Sequence, residues 1–266
     1  MKKWLGIGLT VAALLSAIGA PWLSPHDPLR TDFAESLRPP GAAGHPFGTD
    51  QLGRDLLARI LHGARLALFI GGCTVIVTAV VGGLLGLVAG FVERWPSTVL
   101  MRIVDVQLSF PFILLAMTIN AIVGLGLRNI ILSLSAAGWV VYARVVRGET
   151  LSVKQRDYVQ AAAALGMGRA RVMFRHVLPN VAPSIVVVAS LQFSSFIVAE
   201  AAISFLGFGV QPPTPAWGSM LSESRDFLYV AWWLAAFPGA ALALTALGVN
   251  LLGDWLRDTL DPKLRV

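Results

Sequence analysis

The sequence predicts an all-α, polytopic membrane protein with six transmembrane helices and both termini on the cytoplasmic side. Composition, six long apolar runs and the placement of lysine and arginine carry that prediction. Of 266 residues, 56% are hydrophobic and only 14% charged, and the mean hydropathy is +0.70. A soluble domain has about 25% charged and about 45–50% apolar residues with glycine counted. A soluble domain, a disordered chain and a disulfide scaffold are all excluded, the last because Cys73 is the single cysteine and can close no intrachain bridge. It reads as a small buried hydrophobe.

A helix needs about 20 apolar residues to cross a hydrocarbon layer about 30 Å thick. Six segments qualify: Trp4–Leu23, Leu66–Val92, Arg102–Gly124, Asn129–Val146, Val181–Phe205 and Val230–Leu256. The first follows Lys2-Lys3 and has small residues near Ala20, like a signal peptide. Pro21 directly follows the best cut, however, and the apolar run is long for a signal core, so a retained anchor is expected. The Gly82-Gly83-x-x-Gly86 group, Pro111 and Pro238-Gly239 fall inside spans. There neighbouring helices can satisfy freed backbone groups and small residues permit close packing. With the N-terminus inside, fourteen of the 21 lysines and arginines lie at the inner boundary, including Arg144, Arg147, Lys154, Arg156, Arg169, Arg171, Arg175, Lys263 and Arg265. Arg30, Arg38, Arg54, Arg59, Arg65, Arg128 and Arg225 lie outside. That asymmetry orients the chain. The net charge of +6 reflects topology, since no soluble basic domain exists to bind nucleic acid.

The chain reads as one transmembrane domain, 1–266, with three long loops. Residues 24–64, outside, open on Ser24-Pro25-His26-Asp27-Pro28 and end in a helical pattern. Thr49 or Asp50 would cap it, Leu52, Leu56, Leu57, Ile60 and Leu61 form its apolar stripe, and Asp55 pairs with Arg59 at i,i+4. That helix lies on the outer membrane surface or simply leads into the second span. Residues 148–180, inside, contain Asp157-Tyr158-Val159-Gln160-Ala161-Ala162-Ala163-Ala164-Leu165-Gly166. The alanine run favours helix and Gly166 should end it. A second short helix then runs to Pro179. Tyr158, Ala161, Ala162 and Leu165 would make a compact apolar face, followed by Arg169, Arg171 and Arg175. Such a face suits a groove on another protein or, equally, an anionic lipid surface. Residues 207–228, outside, are stiffened by Pro212, Pro213 and Pro215. They present a fixed surface to a partner, or form an interfacial loop anchored by Trp217.

Acids inside spans need protein or water beside them. Asp105 lies one turn from Arg102, which predicts a local pair. Glu200 is the strongest candidate for a pathway or gate, with a hydrogen bond to a neighbouring helix as the structural alternative. Gln192 and Asn120, with Gln107, are candidates for the same role. The four histidines (His26, His45, His62, His176) are scattered outside the spans, so no metal ligands are expected. Without a His-Glu-x-x-His or Gly-x-Ser-x-Gly motif, no catalytic residues are expected either.

Residues 160–179 resemble the "EAA" loop of bacterial ABC-importer membrane subunits: Ala161, Ala162, Gly166, Leu178 and Pro179 match in identity and spacing, while Gln160 replaces the family's glutamate and His176 a usual apolar residue. Gly48-Thr49-Asp50-Gln51-Leu52-Gly53-Arg54-Asp55, Ser204-Phe205-Leu206-Gly207-Phe208-Gly209-Val210-Gln211-Pro212-Pro213 and Gly253-Asp254-Trp255-Leu256-Arg257-Asp258-Thr259-Leu260-Asp261-Pro262 are similar to signatures of the dipeptide/oligopeptide/nickel permeases, nearest to the second, "C"-type permease. The resemblance implies a subunit of the bacterial plasma (inner) membrane that translocates di- or oligopeptides inward. It implies a heterodimer with a second homologous permease, two ATPase subunits and an external solute-binding protein as partners. ATP and Mg would sit on the ATPases, with no cofactor on this chain, which lacks a Gly-x-x-x-x-Gly-Lys-Ser/Thr loop. Asp157, Tyr158, Gln160, Ala161, Ala162, Leu165, Gly166, Arg169 and Pro179 would form the ATPase-coupling element. Nickel import is the nearest alternative; a proton-coupled secondary transporter is more distant.

Overall fold

The computed structural model describes residues 2–92 and 94–260. Helices α1 (Lys2–Leu23), α2 (Leu56–Val92), α3 (Trp95–Leu108), α4 (Phe112–Val123), α5 (Leu127–Lys154), α6 (Asp157–Ala164), α7 (Arg169–Val172), α8 (Leu178–Phe205), α9 (Trp217–Glu223) and α10 (Trp233–Leu260) follow in order. Lys263, Arg265 and the end of the C-terminal signature, Asp261-Pro262, lie outside the described residues. Among the described residues, five helical stretches are long and apolar enough to span a membrane: α1, α2, α5, α8 with the turns before it, and α10.

The expected third span is broken. α3 and α4 meet at 97° across a three-residue gap. At 1.5 Å per residue they are only about 21 and 18 Å long, so neither alone crosses about 30 Å of hydrocarbon. Pro111 causes the break: it has no N–H to continue the ladder, and its ring disfavours the α conformation at Phe110. Ser109 and Phe110 close α3 by donating to Val106 and Gln107, and Pro111 then starts α4 from an extended conformation, φ −58°, ψ 124°.

α2 and α5 make the most extensive helix pair. Gly82, Gly86 and Gly90 lie on one stripe of α2, where a Cβ on Gly86 would run into the carbonyl of Ala143 and one on Gly90 would come within 2.7 Å of Thr150 Cβ. The glycine group is therefore a packing surface. Gly138 on the next face of α5 admits the ring of Phe196 from α8, leaving 2.7 Å from a Cβ to Cζ. Valine at Gly86 should wedge the two backbones apart, and overpacking of this kind costs about 1–3 kcal/mol. We expect Gly86→Val to lower the thermal unfolding midpoint in detergent by several degrees. Gly8→Val, in open space on α1, should leave it unchanged.

α1 lies across α10, with Gly6 against Leu251 and Gly248 against Leu9. It also packs Ala13 and Ala17 into a core with Leu56, Ile60 and Ala64 of α2.

The segment before α2 is a folded cap. α2 begins at Leu56 and runs unbroken for 37 residues, about 55 Å, so its first turns extend the span beyond the bilayer; no separate surface helix forms. The helix is capped by Asp55, whose Oδ2 accepts from Ala58 N at 2.8 Å, and not by Thr49 or Asp50. Arg59 pairs with Asp50 instead of Asp55. Asp50 accepts from Leu52 N (2.8 Å) and Arg54 N (3.0 Å) to close a turn. In that turn Gly53 takes φ +71°, and any Cβ on it would strike the carbonyl of Asp32. Arg54 and Arg59 then bridge Asp50 to Glu223 of α9, with Nη2–Oε2 3.0 Å from Arg54 and Nη1–Oε2 3.1 Å from Arg59. The 207–228 loop is seated the same way. Trp217 is buried, its Nε1 donating to Ile60 O at 3.0 Å, which rules out the role of interfacial anchor.

Candidate functional site

The elbow between α5 and α8 is built from local rules. Asp157 in the first turn of α6 complements the helix dipole. At the other end Gly166 N donates to Ala163 O (3.1 Å) and Met167 N to Ala162 O (3.2 Å), the double bond pattern of a Schellman termination. That pattern needs a left-handed residue, and Gly166 has φ +83°. Pro179 in the first turn of α8 withholds an N–H from the preceding turn, and the chain there widens into a π-helical segment, Met173–Val177. Asn180 Nδ2 satisfies the carbonyl of His176 at 2.8 Å, and Arg156 Nη1 reaches Asn180 Oδ1 at 3.2 Å. The N-terminus of α6 is thereby tied to the first turn of α8.

Val159 and Ala162 turn inward. Val159 joins Leu87, Val153, Val172, Val177 and Val181, a cluster that binds the elbow to the ends of α2, α5 and α8. Lys154 Nζ donates to Phe91 O at 3.0 Å, and the guanidinium of Arg169 stands 5.8 Å from the Phe91 ring. The face expected from sequence is thus divided. Tyr158, Ala161 and Leu165 face outward with Asp157 and Gln160, while Ala162 belongs to the interior. Leu165 is 89% exposed. Beside this tip, Phe174, Arg171 and Arg175 with Pro179 line an open groove of about 650 Å3. Phe174 was not singled out in the sequence, although an aromatic between two arginines was the available signal.

The polar residues of the spans lie apart from the elbow. Asp105 pairs with Arg144 of α5 and not with Arg102. Gln107 Nε2 donates to the carbonyls of Ala136 (2.8 Å) and Ala137 (3.0 Å), stitching α3 to α5 beside the break. Asn120 is fully buried: it donates to the carbonyl of Phe208 and accepts from Ser133 Oγ at 3.3 Å. Glu200 is buried too, and Ser204 Oγ, one turn along the same helix, donates to its Oε1 at 2.6 Å. Gln192 lines a cavity of about 280 Å3 with Gln107, Phe110, Phe112, Val141 and Phe196, so the α3–α4 break opens against α8 at this residue. His62 lies inside α2, its Nδ1 3.0 Å from Ala58 O, and not in a loop.

Residues 82–266 match the family described as "binding-protein-dependent transport system inner membrane component". The chain is 44% identical over 265 residues, 98% of its length and 88% of the relative's, to the di/tripeptide transport system permease protein DppC of Pseudomonas aeruginosa. It is 41% identical over 98% of its length to the dipeptide transport system permease protein DppC of Alkalihalophilus pseudofirmus, covering 86% of that protein. It is 42% identical over 97% of its length to the glutathione transport system permease protein GsiD of Pectobacterium atrosepticum, covering 86% of that protein.

Proposed function

The chain belongs to the family of binding-protein-dependent transport system inner membrane components, and on that premise we propose that it is a permease subunit of an ATP-driven importer that takes up di- or oligopeptides. Relatives named for dipeptide, di/tripeptide and glutathione transport favour peptides over nickel as cargo. The observation that carries the mechanism is the build of the elbow. An exposed apolar tip, Tyr158, Ala161 and Leu165, stands on a base packed into α2, α5 and α8. Large apolar side chains left in water mark a contact surface. A base without slack passes displacement of that tip to the spans as a rigid-body movement.

In this reading the elbow faces the cytoplasm, as the lysine and arginine bias directs, and seats in a groove of an ATPase subunit. ATP and Mg are held there and not on this chain. Asp157, Gln160, Gly166, Arg169 and Pro179 shape the seat: the first two flank the tip, Gly166 ends the helix, and Arg169 and Pro179 hold the base. The exposed apolar surface of α3, α4 and the turn between them, including Ile103, Val106, Phe110 and Leu114, meets a second, homologous permease. Gln192, at the α3–α4 cavity, faces the pathway between the two. Asn120 and Glu200 act as internal supports of it. The opposite end, capped by the 24–55 segment and α9, receives a solute-binding protein.

The test is uptake by the complete assembly in proteoliposomes. Dipeptide should accumulate only with ATP and binding protein, and collapse of the proton gradient by an ionophore should not slow it. Uptake that survives without ATP and stops with the ionophore would show a secondary carrier instead.

A further inference from the structure

Independently of the transport reading, we propose that His26, His45 and Asp55 form a binding site for a divalent transition-metal ion of the zinc(II) type. The ion staples the segment leaving α1 to the N-terminus of α2. One donor atom from each residue lies within 4.8 Å of the others. His45 Nδ1 stands 2.8 Å and His26 Nδ1 3.9 Å from Asp55 Oδ1. Ligands about 2.0–2.1 Å from a tetrahedral zinc are about 3.3 Å apart, midway between those two separations. Slight spreading of one pair and closing of the other produces a coordination shell.

The surroundings suit an ion. The two imidazoles stack with centroids 4.7 Å apart and planes at 27°, so both Nδ1 atoms are presented on the side of Asp55. The Asp55 side chain is fully buried and its other oxygen is engaged by Ala58 N. Its orientation is therefore set by the helix start, as second-shell bonds orient metal ligands elsewhere. His26 Nδ1 is buried without a hydrogen-bond partner, and His45 Nδ1 stands 2.8 Å from the carboxylate oxygen, a contact that an ion between them would replace. Buried polar atoms are nearly always paired, and a metal ion supplies the partner that His26 Nδ1 lacks while bonding the other two groups as well. Two neutral imidazoles and one carboxylate favour zinc, nickel or copper, whereas calcium and magnesium take oxygen ligands. A cavity of about 160 Å3 opens beside the three donors, lined also by Asp32, Glu35 and Arg30. It leaves a fourth position for water.

The staple adds a second tie, at the segment between the helices, to the packing of Ala13 and Ala17 of α1 against Leu56, Ile60 and Ala64 of α2. Ser24 Oγ donates to His26 O and Leu29 N to Asp27 Oδ1 (2.8 Å), which shapes the turn without fastening it to α2. A metal ion would fasten the turn at His26 to the capping residue of α2.

The purified full-length chain in detergent, stripped with a chelator and desalted, should take up one zinc per chain on titration, measured by elemental analysis. Zinc should raise the thermal unfolding midpoint and calcium should not. Cobalt(II) in its place should develop the visible absorption of a tetrahedral nitrogen–oxygen site. His26→Gln and His45→Gln should each weaken zinc binding at least ten-fold, while His62→Gln leaves it unchanged. Because His45 also bonds the residue that caps α2, His26→Gln is the decisive variant: its nitrogen holds nothing in the metal-free fold. Zinc bound well below one per chain, zinc bound equally by His26→Gln, or calcium stabilising as well as zinc would each overturn the site.

Discussion

Replacing Asp50 with alanine is expected to cost the folded chain about 3–5 kcal/mol, the penalty for removing one partner of a buried ion pair. Its carboxylate accepts Arg54 Nε at 2.6 Å and Arg59 Nη1, and also two backbone N–H groups of the turn. Asp50, Arg54 and Arg59 are all at most 5% exposed. Without Asp50 two buried guanidinium groups share only Glu223, whose side chain is 24% exposed and partly solvated. Folded proteins hold about 5–15 kcal/mol in all, so this substitution alone should remove a large part of the margin. Asp50→Asn retains an acceptor for the turn and should fall between Asp50→Ala and the parent. Glu223→Gln should cost least, because water can replace its contribution. Unfolding in mixed detergent micelles measures the series; an Asp50→Ala chain within about 1 kcal/mol of the parent would mean that the network contributes little.

Leu165→Asp is expected to reduce peptide uptake by the complete assembly at least ten-fold while leaving the stability of this chain unchanged. The side chain is almost wholly in water, so its exchange within the isolated fold should stay within about 0.5 kcal/mol. Seated in an apolar groove, a carboxylate loses its hydration without gaining a partner. Each 1.4 kcal/mol of that loss is about a tenfold weaker contact. Leu165→Met, of similar volume and apolar, should transport normally. Co-purification of the ATPase subunits with each variant gives the second readout: they should be lost with aspartate and kept with methionine. Full uptake by Leu165→Asp would remove the elbow from the coupling path.

The elbow was largely legible because its determinants are local. An alanine run, an acid in the first turn, a glycine at the left-handed terminus and a proline at the next helix start act within a few residues of one another. The division of its faces was not legible. Val159 and Ala162 turn inward because the valine cluster of α2, α5 and α8 lies on that side, and nothing within 157–166 encodes where those helices stand. The break at Pro111 sat in plain view as a proline inside an apolar run. Composition alone does not separate a tolerated proline from one that ends a helix; here a 97° turn follows.

By itself the sequence determined the membrane character, the apolar cores of five of the six spans, the elbow and its terminating glycine, and the family, although α2 starts ten residues before and α5 ends eight residues after the expected bounds. Bilayer thickness demands long apolar runs, and helix ends obey short-range chemistry. Only the tertiary structure decided that Asp105 meets Arg144, that Arg59 meets Asp50 and Glu223, that Trp217 fills the face of α2, and that His26 and His45 converge on Asp55. Those pairings depend on where distant backbones approach each other. The approach is set by glycine-lined helix contacts and folded loops summed over the whole chain, and no local spacing records it.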